Sequence, residues 1–355
     1  MAATVTIAAT YIYFLIFAQF GFLKALAGLG PENALLRPLM AVMGAAGIAG
    51  SVGMARWFNE TRCRGQMMVG FGIAGAAAGL TWLARSPALF FVCAALTGAG
   101  TGMVTVGLAG MLRREVGGGR LGRCIGVGTG AAYAFCNVPA IFESGASAQA
   151  LLGIAAACTG LIAVQLFEQR GPRQIAGGYD YSLPGIGLWT GIFLVLVGLD
   201  SAAFTIIQHN PELKLVTWTG GAQLLVNAGV HLAAGILAGQ ILDRRRMAGV
   251  VGVAAAMLIA ACILLGLDRS ALVPGLYAAG VSVYSAALVY YPARAGRPGL
   301  AARVYIVAGW IGSALGISLA QDLSRVPGWL IGPGGGLLAT LFLIRWRGRR
   351  ASAAQ

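Results

Sequence analysis

The chain has 355 residues, 58 % of them hydrophobic and 10 % charged, with a mean hydropathy of +0.80 and a formal net charge of +14. A soluble domain carries about 25 % charged residues; this much apolar surface cannot be hidden in one water-facing globule, which leaves a multi-spanning helical membrane protein. In a soluble protein the positive charge would suggest a nucleic-acid partner, but here the arginines fall between apolar runs, so no nucleic acid is expected.

Twelve spans are predicted, at roughly 4–29, 34–55, 66–84, 88–112, 124–143, 148–167, 186–208, 216–242, 248–267, 271–291, 304–320 and 328–344. Each is near the ~20 residues that a bilayer core requires. The N-terminus lacks a basic stretch and runs straight into the first span, so no cleaved signal peptide is expected. Small residues at spacing four, such as Gly75/Gly79, Gly235/Gly239 and Gly312/Gly316, let membrane helices approach closely. The six cysteines are scattered without a CxxC, and no disulfide, metal or cofactor set is expected. Gly126, Gly128 and Gly130 lie inside a helix rather than after a strand, so they are no dinucleotide loop. No phosphate loop and no catalytic cluster is present, and no enzyme activity is expected.

Alternate connections differ in charge. Nineteen of the 25 basic residues fall in one set, around Arg56–Arg64, Arg113–Arg123, Arg170–Arg173, Arg244–Arg246, Arg294–Arg303 and Arg345–Arg350. By the positive-inside rule both termini are cytoplasmic. Ala-, Gly- and Arg-rich usage with only Lys24 and Lys214 as lysines suggests a bacterial inner membrane. The longest interior connection, 168–185, follows six spans and precedes six. It divides the chain into an N-terminal bundle 1–167, a cytoplasmic linker, a C-terminal bundle 186–347 and a tail 348–355. The halves echo each other: the second span ends IAGSVGMARW and the eighth LAGQILDRRR, while Gln19 and Gln208 occupy matching outer ends.

These residues carry a resemblance. GQILDRRR, from Gly239 to Arg246, resembles the cytoplasmic loop motif of the major facilitator superfamily, and GRLGRCIGVGTG resembles that superfamily's start of the fifth helix. The resemblance implies an all-α membrane protein of twelve transmembrane helices in two pseudo-symmetric six-helix bundles. In that fold the third, sixth, ninth and twelfth helices lie outside and the other eight line a central cavity. It also implies a cytoplasmic gate at Asp243 and Arg244. Met54 stands where the second half has Asp243, and the fourth span lacks the arginine common in proton antiporters. Drug–proton antiport is therefore not implied.

The candidate site residues are the polar ones inside spans, where each costs free energy unless it finds a partner or water. Asp200 is the acidic residue most clearly inside a span, and either couples protons or ties its helix to a neighbour such as Tyr11. Gln223, Asn227 and His231 recur at spacing four and form one stripe; it binds an anionic or hydrogen-bonding solute, or packs. Tyr11 and Gln19 mark the first span, Tyr133 and Asn137 the fifth, and Tyr284 belongs to a repeat of seven with Tyr277 and Tyr291 on the tenth. The polar connection HNPELK at 209–214 reads as a turn, and Lys24 as an outer-end cation. The function these point to is a monomeric secondary active transporter, moving a small polar or amphipathic solute by alternating access, with protons as the coupling ion. The alternative is a non-transporting accessory or assembly protein that retains the transporter fold.

Overall fold

The computed structural model describes residues 1–28, 35–117, 119–167, 185–266 and 272–320, with 323, 328, 331–332, 334–336, 338–340 and 342–343 beyond them. The expected linker up to residue 184, the tail 348–355 and much of the expected span 328–344 lie outside the described residues.

Among the described residues eleven long helices follow one another: α1 (Ala2–Ala27), α2 (Leu36–Trp57), α3 (Cys63–Leu83), α4 (Pro87–Val116), α5 (Leu121–Cys136), α6 (Ala146–Gln165), α7 (Ile186–His209), α8 (Gly221–Asp243), α9 (Met247–Gly266), α10 (Val273–Ala295) and α11 (Pro298–Ala320). Ten of them, all but α5, are long and apolar enough to cross a membrane. Wide π-helical turns interrupt α1 at Tyr13–Gly21 and α11 at Tyr305–Ile311.

Two expected boundaries move, each for a local reason. The fifth span stops at Cys136 because Pro139 forces Val138 into an extended conformation; a one-turn helix, Pro139–Phe142, resumes beyond it. The connection HNPELK is not a turn. Asn210 accepts from the backbone N–H groups of Glu212 (3.0 Å) and Leu213 (3.2 Å) and starts a two-turn helix, Pro211–Trp218, with proline at its first position. That helix ends at Thr219, and Gly220, at φ 88°, redirects the chain into α8. Val216–Trp218, expected in the eighth span, therefore lies outside α8.

The helices pack as α2 on α4, α3 on α4 and α6, α1 on α5 and α6, then α7 on α11, α9 on α10 and α8 on α10. The contacts that join early helices to late ones are α5 with α8, α4 and α5 with α10, and α2 with α11. Among the ten long apolar helices the most enclosed are α10, α7, α1 and α4, and the least are α2 and α8. The shorter α5, with ten of its 16 residues buried, is enclosed to a similar degree. Enclosure thus singles out five of the eight helices expected to line a cavity. Two of the other three, α2 and α8, give up one face to the outside.

Backbone-to-backbone packing at α5 and α8 has an explicit cause. A Cβ placed on Gly126 would overlap the carbonyl oxygen of Gly235, and one on Gly239 that of Gly122. The same holds between α4 and α2, where Gly98 faces the Met43 carbonyl and Gly102 that of Gly47. Without hydrophobic drive between helices in lipid, this close van der Waals approach is what holds them together. Gly126→Val is accordingly expected to cost about 1–3 kcal/mol of stability through overpacking, read as a fall in Tm in detergent. Gly229→Ala on the same α8 meets open space and should leave Tm unchanged or slightly raised.

Candidate functional site

Helix α10 assembles the site by presenting two polar stripes. Tyr277 and Tyr284, seven residues apart, lie on one face, and Ser282 and Ser285, three apart, on another. Its residues 281–293 are buried without exception.

The tyrosine stripe meets α7. The Tyr277 hydroxyl donates to Asp200 Oδ1 at 2.6 Å, and the Tyr284 hydroxyl donates to Asp200 Oδ2. Each carboxylate oxygen thus has its own phenol donor. An acceptor-only group held among apolar helices is relieved of the cost that an unpartnered charge would incur there. The partner expected across the molecule, Tyr11, is replaced by two tyrosines of α10.

The serine stripe meets α5 and α8. His231 Nδ1 lies 2.7 Å from Ser282 Oγ, and the Tyr133 hydroxyl lies 3.0 Å from Ser285 Oγ. The Tyr133 and His231 rings stack at 4.8 Å with 12° between their planes, and Tyr11 tilts against Tyr133 at 6.0 Å. Five helices therefore converge on one polar layer: α1, α5, α7, α8 and α10. A further hydroxyl pair, Ser201 with Ser313 at 2.8 Å, ties α7 to α11 beside it.

The stripe on α8 divides. His231 joins the polar layer, but Gln223 donates to Asn227 Oδ1 (2.9 Å) and Asn227 donates to the carbonyl of Thr217 (2.8 Å). Thr217 belongs to the last turn of the helix Pro211–Trp218, whose carbonyls have no helical partner. Gln223 and Asn227 thus fasten that short helix to α8. Asn137 donates to the Tyr133 carbonyl of its own helix (2.9 Å), and Gln19 is half-buried in the wide turn of α1 with no hydrogen bond among the described residues. Lys24 reaches the connection between α5 and α6, where its Nζ donates to the carbonyls of Phe142 (3.1 Å) and Ser144 (2.8 Å).

Aromatic clusters flank the polar layer. Toward one end Phe20 meets Phe142 and Phe204, and Trp218 meets Phe204 and Tyr277, with centroids 5.3–6.1 Å apart. Toward the arginine-rich end Trp189 and Phe193 each pack on Tyr291 at 6.0 Å. The seven-residue tyrosine repeat of α10 thus runs from one cluster through Asp200 to the other.

At the arginine-rich end the carboxylate of Asp243 does not pair with Arg244, its neighbour in sequence. It accepts from the backbone N–H groups of Gly122 (2.6 Å) and Arg123 (3.1 Å) and from Arg123 Nε (3.0 Å). The first turn of α5, whose own N-cap residue Arg120 supplies no side-chain bond, is therefore capped by α8. The exposed N–H groups and the positive end of the helix dipole draw the carboxylate there. Nearby, Arg113 of α4 donates to the Arg294 carbonyl of α10 at 2.9 Å.

Among the described residues no group of three or more His, Cys, Asp or Glu could hold a metal ion. Sequence reading did not single out Ser282, Ser285, Thr217 or Arg123 as site residues. Only the tyrosine repeat signalled Tyr277 in advance.

Two outcomes follow from this geometry. A double-mutant cycle of Asp200→Asn with Tyr284→Phe should show a coupling of about 1–3 kcal/mol in thermal or denaturant unfolding; additive effects would mean that the two groups do not bond. Asp243→Ala should cost about 0.5–2 kcal/mol as a lost helix cap, with little from the ion pair because Arg123 is 57 % exposed. Arg244→Ala should stay within about 0.5 kcal/mol.

No protein-family model and no curated protein matches the chain. Solved structures do. A proton:xylose symporter of the major facilitator superfamily, XylE, bound to 6-bromo-6-deoxy-D-glucose, superposes with TM-score 0.67 at 13 % identity, over 98 % of this chain and 94 % of that one. The superfamily transporter FucP, in an outward conformation, gives 0.64 at 10 % identity, over 97 % and 98 %. The human organic anion transporter MFSD10 gives 0.64 at 14 % identity, over 96 % and 97 %. Three such neighbours, each matched over nearly its whole length, give the chain the fold of the major facilitator superfamily transporters.

Proposed function

We propose that the chain is a secondary active transporter that carries a small polar or amphipathic solute by alternating access, with proton movement coupled through Asp200. The observation that carries this reading is the Asp200 carboxylate, clasped by Tyr277 and Tyr284 midway along two of the most enclosed helices. An ionisable group inside a membrane bundle is costly and marks an ion or solute pathway. The neighbours in the fold support it: one is a proton:xylose symporter and another an organic anion transporter.

In this reading two six-helix bundles, 1–167 and 186–347, joined by the linker 168–185, rock about the contacts of α5 with α8 and α2 with α11. The distribution of arginines puts the linker and both termini in the cytoplasm of a bacterial cell, and the transporter works as a monomer in the inner membrane. The ionised Asp200 accepts from both phenols. A proton bound there turns one carboxyl oxygen into a donor and releases one tyrosine hydroxyl. That hydroxyl, with Tyr133 and His231 across the layer, is then free for solute. Gln19, Asn137, Gln223 and Asn227 line the same route and order its walls. Asp243, held to the start of α5 with Arg123 and flanked by Arg244, is the latch that opens when the halves separate at that end.

Proteoliposomes test the reading. With an imposed pH gradient and a panel of pentoses, hexoses and organic anions, the wild-type chain should take up at least one solute with accompanying proton flux. Asp200→Asn should abolish accumulation against the gradient while leaving solute exchange measurable. Wild-type vesicles with no flux for any solute would favour the non-transporting accessory reading, and an unaltered Asp200→Asn variant would remove the coupling role.

A further inference from the structure

Helices in lipid usually dispose of a serine or threonine hydroxyl by bonding it to the carbonyl one turn back. Thr6, Ser51, Thr81, Thr129, Thr190 and Thr205 all do so here. Thr97 and Thr101 of α4 do not. They are 1 % and 7 % exposed, and neither hydroxyl makes a hydrogen bond of normal length among the described residues. The hydroxyl of Tyr13 on α1, 3 % exposed, likewise makes no hydrogen bond of normal length; its one hydrogen-bonding neighbour is Thr97, with Cys93 beside them.

These three oxygens lie apart from the Asp200 layer. Tyr13 is two residues beyond Tyr11, so it leaves the opposite side of α1 from the side that meets Tyr133. On α4, Gly98 and Gly102 face α2, and Thr97 and Thr101, one position earlier, form the adjoining stripe. Tyr13 packs on Phe17 and belongs with Phe22, Met43, Phe90 and Cys93 to an apolar cluster separate from the one that holds Tyr133, Tyr277 and Tyr284. Tyr13 also opens the π-helical stretch of α1, an insertion that shifts the side-chain register and recurs at functional sites.

A buried hydroxyl without a close partner is costly; a long contact between Tyr13 and Thr97 uses one donor of three and leaves Thr101 without any, so the three at one helix interface call for a guest. Each hydroxyl both donates and accepts, so together they satisfy an oxygen that does the same. The groups that bear on Tyr13 are Thr97 and Cys93, neither of them charged. A carboxylate or phosphate guest would meet no basic side chain there, and a metal ion no carboxylate.

We propose that Tyr13, Thr97 and Thr101 form a buried site between α1 and α4 for one neutral hydrogen-bonding oxygen. Two sources share that chemistry: a resident water molecule, or a hydroxyl of the transported solute. The second source rests on the transport reading above; the first does not.

Near-isosteric variants separate the outcomes without a transport assay. Thr97→Val and Tyr13→Phe each delete one oxygen while keeping the shape, and thermal unfolding in detergent is followed with and without D-xylose and D-glucose. With an oxygen bound, each variant lowers Tm by several degrees, and the double variant loses less than the sum because both act on one guest. Thr97→Ser, which retains the hydroxyl, keeps most of the lost stability. An equal loss with and without sugar, with any sugar-induced rise in Tm retained and density for a water between the hydroxyls, identifies resident water; the same loss with no such density means that Tyr13 and Thr97 bond directly and overturns the site. Disappearance of a sugar-induced rise in Thr97→Val, equivalent to at least tenfold weaker binding, identifies the solute. A Tm that rises or stays unchanged in both variants, with the sugar response intact, overturns the site, because deleting an unsatisfied hydroxyl from an unfilled cluster relieves a cost. A density map that resolves other internal waters but shows none between Tyr13 and Thr97, with or without sugar, overturns it equally.

Discussion

A carboxylate placed among apolar helices obliges its neighbours to supply donors, and the architecture around α10 follows from that obligation. Tyr277 and Tyr284 occupy both oxygens of Asp200, which fixes the register of α10 against α7. With that register set, Ser282 and Ser285 turn toward α8 and α5, where His231 and Tyr133 require partners of their own. One helix therefore satisfies three polar side chains from three other helices. The price is conformational: α10 cannot rotate or slide without breaking several buried hydrogen bonds at once.

The second constraint is distance. The stacking of Tyr133 on His231 requires α5 and α8 to run close together, and glycine at 122, 126, 235 and 239 permits it by removing every side chain from the crossing. Further along the same pair, Asp243 of α8 caps the first turn of α5. Glycine packing, ring stacking and helix capping thus act on one helix pair at three heights. The glycine contact and the stack are insensitive to charge, whereas the cap is electrostatic and lies at the end exposed to water. Strength at the arginine-rich end can therefore change with ionic conditions while the middle of the pair stays closed.

Much of the fold was legible in the sequence because its signal is local. Apolar runs of bilayer length, arginines concentrated in alternate connections and glycines at spacing four need no knowledge of tertiary structure. The misplaced boundaries at Cys136 and Thr219 came from single residues, Pro139 and Gly220, whose effect on the backbone outweighs the hydropathy of the surrounding run. The site was legible only as a set of residues to be accommodated. The stripe Gln223, Asn227 and His231 is regular in sequence, yet its members diverge because Asn227 reaches the carbonyl of Thr217, in a short helix that the hydropathy pattern merges with α8. The family resemblance named Asp243 and Arg244 together, whereas the Asp243 carboxylate bonds across 120 residues to the free N–H groups that begin α5. Pairings of this kind depend on which helix ends meet, and periodicity does not encode that.

The two polar groupings of the molecule differ in a way that bears on mechanism. Around Asp200 both carboxylate oxygens, His231 Nδ1 and the hydroxyls of Tyr133, Tyr277 and Tyr284 have partners within the protein in the conformation seen here. On the reading proposed above, solute entry must therefore break protein hydrogen bonds, and the proton is what makes that exchange affordable by converting an acceptor into a donor. Around Tyr13 the protein supplies three hydroxyls and, among the described residues, no hydrogen bond of normal length to them. A guest there breaks nothing on arrival. The central layer is thus suited to switching and the α1–α4 cluster to steady occupancy, and the first can change state while the second stays filled, because separate apolar clusters enclose them.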